Sequence, residues 1–286
     1  MKPPHAIDTR NATAVAEAVK AAFAAVGGQQ SVALLDRLFG DTIRLFAGEY
    51  PGYQAVDMVY HDLEHTLQAT VCLTHLLEGR RRSGDQPRFT AREWELAVAA
   101  ALLHDSGYLK LTGDTTGTGA KYTFHHERRS CDFARNYLPG LGFSTDEIED
   151  VCAAILCTGP KGRISRVAFR REEARHIAFL LVTADYLAQM SDVHYVDKLA
   201  GLFREFEEAY EHDRVPVSQR QFTDLAAMIE RTPAFWTEYV RPMLDFEAAG
   251  VHRYLSETGQ PNLYLQAVDA NLLEVERRQQ SGAGRI

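Results

Sequence analysis

From Ala97 to Leu103 the chain reads AVAAALL, without a polar side chain, and the run ends on His104 and Asp105. A helix of that composition has no face to turn to water, so it belongs at the centre of a bundle with other elements on every side. The rest of the sequence supplies such elements. Apolar residues recur at helical spacing through most of the chain, and no stretch alternates with the period of a strand between hairpin turns. The expectation is an all-α fold, with helices over residues 13–26, 31–47, 55–80, 91–104, 124–138, 144–157, 172–190, 193–212, 219–249 and 260–278.

Several boundaries are legible. Thr90 followed by Glu93, and Ser144 or Thr145 followed by Glu147, are N-cap signals, while Gly79 and Gly142 suit helix ends. Residues 107–122 contain Gly107, Gly113, Gly117 and Gly119, too many for a stable helix, so a loop is expected over whatever His104 and Asp105 build. A second polar loop, residues 159–166, carries Lys161, Arg163 and Arg166.

With 286 residues, 45% of them hydrophobic and 24% charged, the chain can bury a substantial core, and one continuous domain is expected. Its net charge of −8 argues against a long nucleic acid as partner. A small anionic substrate is still compatible, because a metal and a few local cations can reverse the sign inside a cleft. Cys72, Cys131, Cys152 and Cys157 form no CxxC pair and read as free thiols of a cytoplasmic protein. The apolar stretch from Ala12 to Val26 is broken by Glu17 and Lys20, so neither a signal segment nor a membrane span is expected there, and no membrane partner. A homodimer is compatible with all of this.

His61 and His65 stand four apart on a stretch read as helix, which turns both rings to one face. Alone, such a pair is more often surface or core than a site. Asp105 at the end of the apolar helix is costly to bury unless a cation neutralises it. Asp185, inside the apolar run FLLVTADYLA, poses the same problem. A capping role for Asp105 and a satisfied structural acid at Asp185 are the plain alternatives, but one divalent ion explains both carboxylates at once.

The order H, HD, HH, D over residues 60–186 resembles the HD superfamily of metal-dependent phosphohydrolases, and within it the class I cyclic nucleotide phosphodiesterases. Tyr60-His61-Asp62-x-x-His65 is similar to the family's YHN-x-x-H, His104-Asp105 to its HD, His125-His126 to its helix-starting HH, and Ala184-Asp185-Tyr186-Leu187 to its ADLS. The segment from Ser218 to Asp224 resembles S-Q-x-x-F-x-D, whose glutamine hydrogen-bonds a nucleobase and whose phenylalanine stacks on it.

The resemblance implies a compact HD-domain, phosphodiesterase-like helical bundle. Residues 55–190 would form the metal-binding core, residues 1–54 N-terminal helices packed on it, residues 191–278 the helices completing the substrate pocket, and residues 279–286 a loose tail. His65, His104, Asp105 and Asp185 become the metal ligands, for Zn²⁺, Mn²⁺ or Fe²⁺ at a tight site, with Mg²⁺ or Mn²⁺ at a second site on the spare oxygens of Asp105. The implied reaction is hydrolysis of a phosphodiester, a cyclic nucleotide above all, by metal-activated water. His61 is the implied general acid, and Asp105 is placed at the reacting centre. His125, His126, Lys110, Lys121, Arg129, Gln219 and Phe222 are the implied substrate contacts, and Glu127 an implied orienting partner of His126.

The chain also departs from the pattern. Tyr108 stands where the phosphodiesterases place a further histidine, and Thr123 where they place the acid that partners the catalytic histidine. The stretch between Asp185 and Gln219 is short, which leaves the substrate open. A nucleotidase that removes a terminal phosphate, a di-iron oxygenase and a non-catalytic nucleotide-binding module are the alternatives. The second would want a histidine near Cys157 or Thr158, where none stands.

Overall fold

The computed structural model describes residues 6–27, 32–160, 162–256 and 259–280. His5, Lys161 and residues 281–286 of the expected tail lie outside the described residues. Ten α-helices follow in order: α1 Ala12–Gly27, α2 Val32–Phe46, α3 Leu63–Ser83, α4 Ala91–Leu103, α5 His126–Tyr137, α6 Thr145–Ile155, α7 Glu172–Ser191, α8 Tyr195–His212, α9 Leu225–Phe235 and α10 Leu263–Gln280. Among the described residues there is no strand, and the sole strand-like contact is an isolated bridge between Tyr53 and Leu111.

The apolar run lies where its composition demands. Leu96 to Leu103 are all buried, and α4 is enclosed by α1, α2, α3, α6 and α7. Full burial of a Leu or Val side chain is worth about 1.5–3 kcal/mol, so this buried segment anchors the bundle. α3 and α7 make the most extensive pairing in the molecule, alongside α4. One buried apolar cluster extends from Val15 to Val275, so the N-terminal, middle and C-terminal helices share a core. No helix of the described residues is long and apolar enough to cross a membrane.

Both capping boxes form. Thr90 and Glu93 close the start of α4, and Ser144 and Glu147 close the start of α6. Gly142 takes the left-handed conformation at the end of a short 3-10 turn.

Three expectations are corrected. The helix expected over 55–80 starts only at Leu63, because Asp62 N-caps it and the backbone N–H groups of Val59, Tyr60 and His61 are bound by Glu205 of α8 instead. Gly79 does not end that helix. It lies inside α3, where a Cβ would stand 1.9 Å from the Tyr254 carbonyl oxygen, and α3 runs on to a left-handed Gly84. The helix expected over 219–249 is broken: Asp224 caps α9 and Pro233 lies inside it. Wider π-type turns follow at Trp236–Val240 and, after Pro242, at Met243–Glu247.

Candidate metal centre and its cleft

Four helices bring the cluster together. His65 lies in the first turn of α3, where its backbone N–H donates to the Asp62 carboxylate at 2.9 Å. His104 caps α4 and Asp105 follows it, His126 opens α5, and Asp185 lies within α7. The turn after α4 is fastened to α5 by Ser130, whose hydroxyl donates to the His104 carbonyl at 2.5 Å and accepts from the Gly107 N–H at 2.8 Å. Gly107 is required there: a Cβ would stand 1.9 Å from the His126 carbonyl oxygen.

His65 Nε2 lies 3.4 Å from Asp105 Oδ2 and 3.2 Å from Asp185 Oδ1, and His104 Nε2 lies 3.3 Å and 3.7 Å from the same two atoms. His126 Nε2 stands 3.6 Å from Asp105 Oδ1, the other oxygen of that carboxylate. His104 Nδ1 is 2.7 Å from the Ala101 carbonyl and His126 Nδ1 2.9 Å from the Thr123 carbonyl. Each Nδ1 therefore donates its proton to a carbonyl, and each Nε2 faces inward, where it carries either a second proton or a lone pair for a cation.

Despite these short separations, His104 Nε2 and Asp105 Oδ2 are buried without a hydrogen-bond partner. Such orphaned atoms each cost about 1–3 kcal/mol, which a protein seldom tolerates in its interior. Atoms of His65, His104 and Asp185 all lie within 4.8 Å of one another, with Asp105 Oδ2 beside them. Ligands bonded at about 2.0–2.2 Å to a shared ion stand roughly 3 Å apart, close to the separations seen here. The residues could thus hold a metal ion, with nitrogen and oxygen donors together.

The electrostatics agree with a cation-seeking site. Burial alone would raise the Asp185 carboxyl, but His104 and His65 hold it well below the usual range. Burial alone would lower His104, but Asp105 and Asp185 push it up to about 9. Without a metal, protons on imidazole must balance the two carboxylates.

His65, Asp105, His126 and Asp185 line a cleft of about 230 Å³, with His104 buried behind them. His61 also faces this cleft, though not from a helical turn shared with His65. Its Nδ1 stands 2.5 Å from Glu205 Oε2, while Glu205 Oε1 accepts from the N–H groups of Val59, Tyr60 and His61 at 3.0, 2.6 and 3.4 Å. Burial alone would lower the His61 pKa, but Glu205 reverses the sign and raises it above the ordinary value of 6.5. Tyr108 is stacked between two imidazoles, 4.7 Å from His61 and 4.3 Å from His126.

The other predicted contacts divide. His126 and Phe222 line the cleft; Lys110, Lys121, His125, Arg129 and Gln219 do not. Lys110 is held by Asp57 at 2.8 Å and the Gly117 carbonyl at 2.7 Å, and Lys121 by Asp114 at 2.5 Å, so both lysines serve the glycine-rich loop itself. Arg129 donates to the Gly107 and Leu109 carbonyls at 2.6 and 3.0 Å and lies over the Tyr122 ring. His125 is half exposed and bound to Asp213. Gln219 ends a 3-10 turn outside the cleft, whereas Gln221 lines it. His126 takes its orientation from the Thr123 carbonyl, Glu127 Oε2 being 3.7 Å from the same nitrogen. All four cysteines are free and buried, and Thr158, though not Cys157, reaches the cleft.

Sequence reasoning missed Glu205, Gln221 and the stacking role of Tyr108. Glu205 lies among Glu207, Glu208 and Glu211 on one helix, and nothing local distinguishes the buried acid from its less buried neighbours. Tyr108 was visible only as a departure from a motif.

A family model described as Npun_R2479-like matches residues 163–278, a stretch that carries Asp185 and Glu205 but not His65, His104, Asp105 or His126. No curated protein and no solved structure matches the chain.

Proposed function

We propose that this chain is a metal-dependent phosphohydrolase of the HD type that cleaves phosphodiesters, cyclic nucleotides among them. The observation that supports this best is the pair of orphaned buried atoms, His104 Nε2 and Asp105 Oδ2, beside His65 and Asp185 at the base of a cleft that also presents His61. His65, His104, Asp105 and Asp185 would hold the ion, and Asp105 Oδ1 with His126 offers donor atoms on the other side of the same carboxylate. A divalent cation there would supply Lewis acidity and a nucleophilic water at neutral pH.

The remaining steps belong to the chain's own side chains. Glu205 holds the proton of His61 Nδ1, so a second proton on Nε2 is available to the cleft. As the water oxygen, its proton released to solvent, bonds to phosphorus, the ester P–O bond breaks and its electron pair leaves with the alkoxide oxygen. That oxygen takes the Nε2 proton. The Tyr108 stack holds the plane of the imidazole through this transfer.

The test joins metal analysis of the purified protein to a hydrolysis panel of cyclic nucleotides, aryl phosphodiesters and phosphomonoesters, with and without chelator. Chelator-sensitive cleavage of diesters supports the reading. A protein that keeps no metal, or cleaves no ester with Mn²⁺ supplied, overturns it. Release of inorganic phosphate from monoesters alone would instead identify a nucleotidase, and oxygen uptake by Fe²⁺-loaded protein an oxygenase.

A further inference from the structure

Among the described residues that line the cleft there is no lysine and no arginine. The basic side chains nearest the metal centre in sequence are turned elsewhere: Lys110 and Lys121 are bound inside the glycine-rich loop, Arg129 is bound to two backbone carbonyls, and Arg128 is exposed outside the lining. Arg163 lies over the Tyr239 ring at 4.4 Å and pairs with Glu247 at 3.8 Å, so its charge is shared with an acid behind an aromatic wall. Two carboxylates, Asp105 and Asp185, cancel one divalent ion. His61 then brings the main unspent positive charge, already shared with Glu205.

The wall above the centre is apolar and aromatic. Phe235 and Tyr239 are stacked at 5.4 Å, Tyr186 meets both edge-on, and Phe206 meets Phe222 at 5.8 Å, with Met228 in the same lining. Its hydroxyls are largely occupied within the protein. Thr123, Thr158 and Thr232 donate to the Ala120, Ile155 and Met228 carbonyls, and Gln189 is bonded to Tyr60. The Tyr239 hydroxyl is buried and has the Tyr186 hydroxyl as its polar neighbour. A polyphosphate or polyol pressed against this wall would lose water without gaining partners.

We propose that the cleft selects a monoanionic phosphodiester whose organic part is apolar or aromatic, and discriminates against dianionic monoesters and polyphosphates. The proposal rests on the hydrolase reading for the chemistry, but the selectivity is a property of the walls. Charge limits the head group, because a second negative charge finds no cation to meet it. Area limits the body, because two phenyl groups laid against the wall remove apolar surface from water.

The experiment titrates the Mn²⁺-loaded full chain calorimetrically with diphenyl phosphate, dimethyl phosphate and phenyl phosphate, and follows turnover of bis(4-nitrophenyl) phosphate and 4-nitrophenyl phosphate in parallel. Diphenyl phosphate is expected to bind at least about tenfold more tightly than either other ligand, as burial of two rings implies. Gln221→Lys, a change at an exposed lining position, is expected to improve phenyl phosphate relative to diphenyl phosphate by about tenfold. Lys161→Ala is expected to leave the preference unchanged.

Phenyl phosphate binding as tightly as diphenyl phosphate overturns the selectivity, and so does loss of diphenyl phosphate binding in Lys161→Ala. Equal binding of dimethyl and diphenyl phosphate removes the apolar wall from the argument and overturns it too. Tight binding of diphenyl phosphate with no turnover of any ester upholds the selectivity and overturns the hydrolase. Turnover that favours the monoester does the reverse.

Discussion

Glu205 Oε2 lies 2.5 Å from His61 Nδ1, although 144 residues separate the two in sequence. The same carboxylate also accepts the backbone N–H groups that lead into α3, so one buried acid both stops that helix from starting early and holds the imidazole at the cleft.

His61→Ala should therefore keep the metal and lose turnover by about 10²–10⁴-fold, the range for removal of a general acid. Metal content by elemental analysis and kcat on an aryl phosphodiester check the two halves separately. Metal loss in this variant would move His61 into the ligand set.

The pH profile follows from the sign of the His61 shift. Its folded pKa lies above 6.5, so the imidazolium persists to higher pH than that of an ordinary histidine, and the proposed activity should fall as pH rises through that raised value. Glu205→Gln removes the cause of the shift and should move the alkaline limb to lower pH, while KM changes little. The pair also stabilises the fold fully below 6.5, and that contribution is lost as pH rises through the folded pKa. An unmoved limb in Glu205→Gln would separate His61 from the proton transfer.

Asp185→Ala and His65→Ala should each lose metal. A site saturated to about 100 times its dissociation constant contributes about 2.7 kcal/mol of stability. Chelation should accordingly lower the thermal midpoint of the wild-type chain and leave that of Asp185→Ala unmoved. A chelator response that persists in Asp185→Ala would place the ion elsewhere.

Gly107→Ala tests the backbone approach. The added Cβ would stand 1.9 Å from the His126 carbonyl and 2.7 Å from the Ser130 nitrogen, so α5 has to move away from the turn carrying Asp105. A loss of about 3 kcal/mol on denaturant unfolding is expected, the upper range for overpacking, with weaker metal binding. Unchanged stability would show that the contact relaxes at no cost.

Arg171 is a structural counterpart remote from chemistry. It donates to Asp150 at 2.6 Å and Glu93 at 2.8 Å, both buried carboxylates at the α4 and α6 side of the core. Arg171→Ala leaves both without their cation and should cost about 2 kcal/mol while metal content stays constant. A loss of metal here would reveal coupling between α4 packing and the cluster.

The helical architecture, the central place of α4 and both capping boxes are legible in the amino-acid sequence, because local periodicity and cap chemistry act within a few residues or on composition. The cost of burying a carboxylate singles out Asp105 and Asp185 in the same way, whereas grouping them with His65 and His104 came from the motif resemblance. Tertiary structure alone decided which side chains face the cleft. Lys110, Lys121 and Arg129 read as phosphate contacts because their charge is visible in sequence, yet Asp57, Asp114 and backbone carbonyls already bind them. Glu205 was indistinguishable from its acidic neighbours until packing of α8 buried it beside His61. A charge is written in the sequence; its partner depends on which distant segments pack together, and that long-range pairing has no local signature.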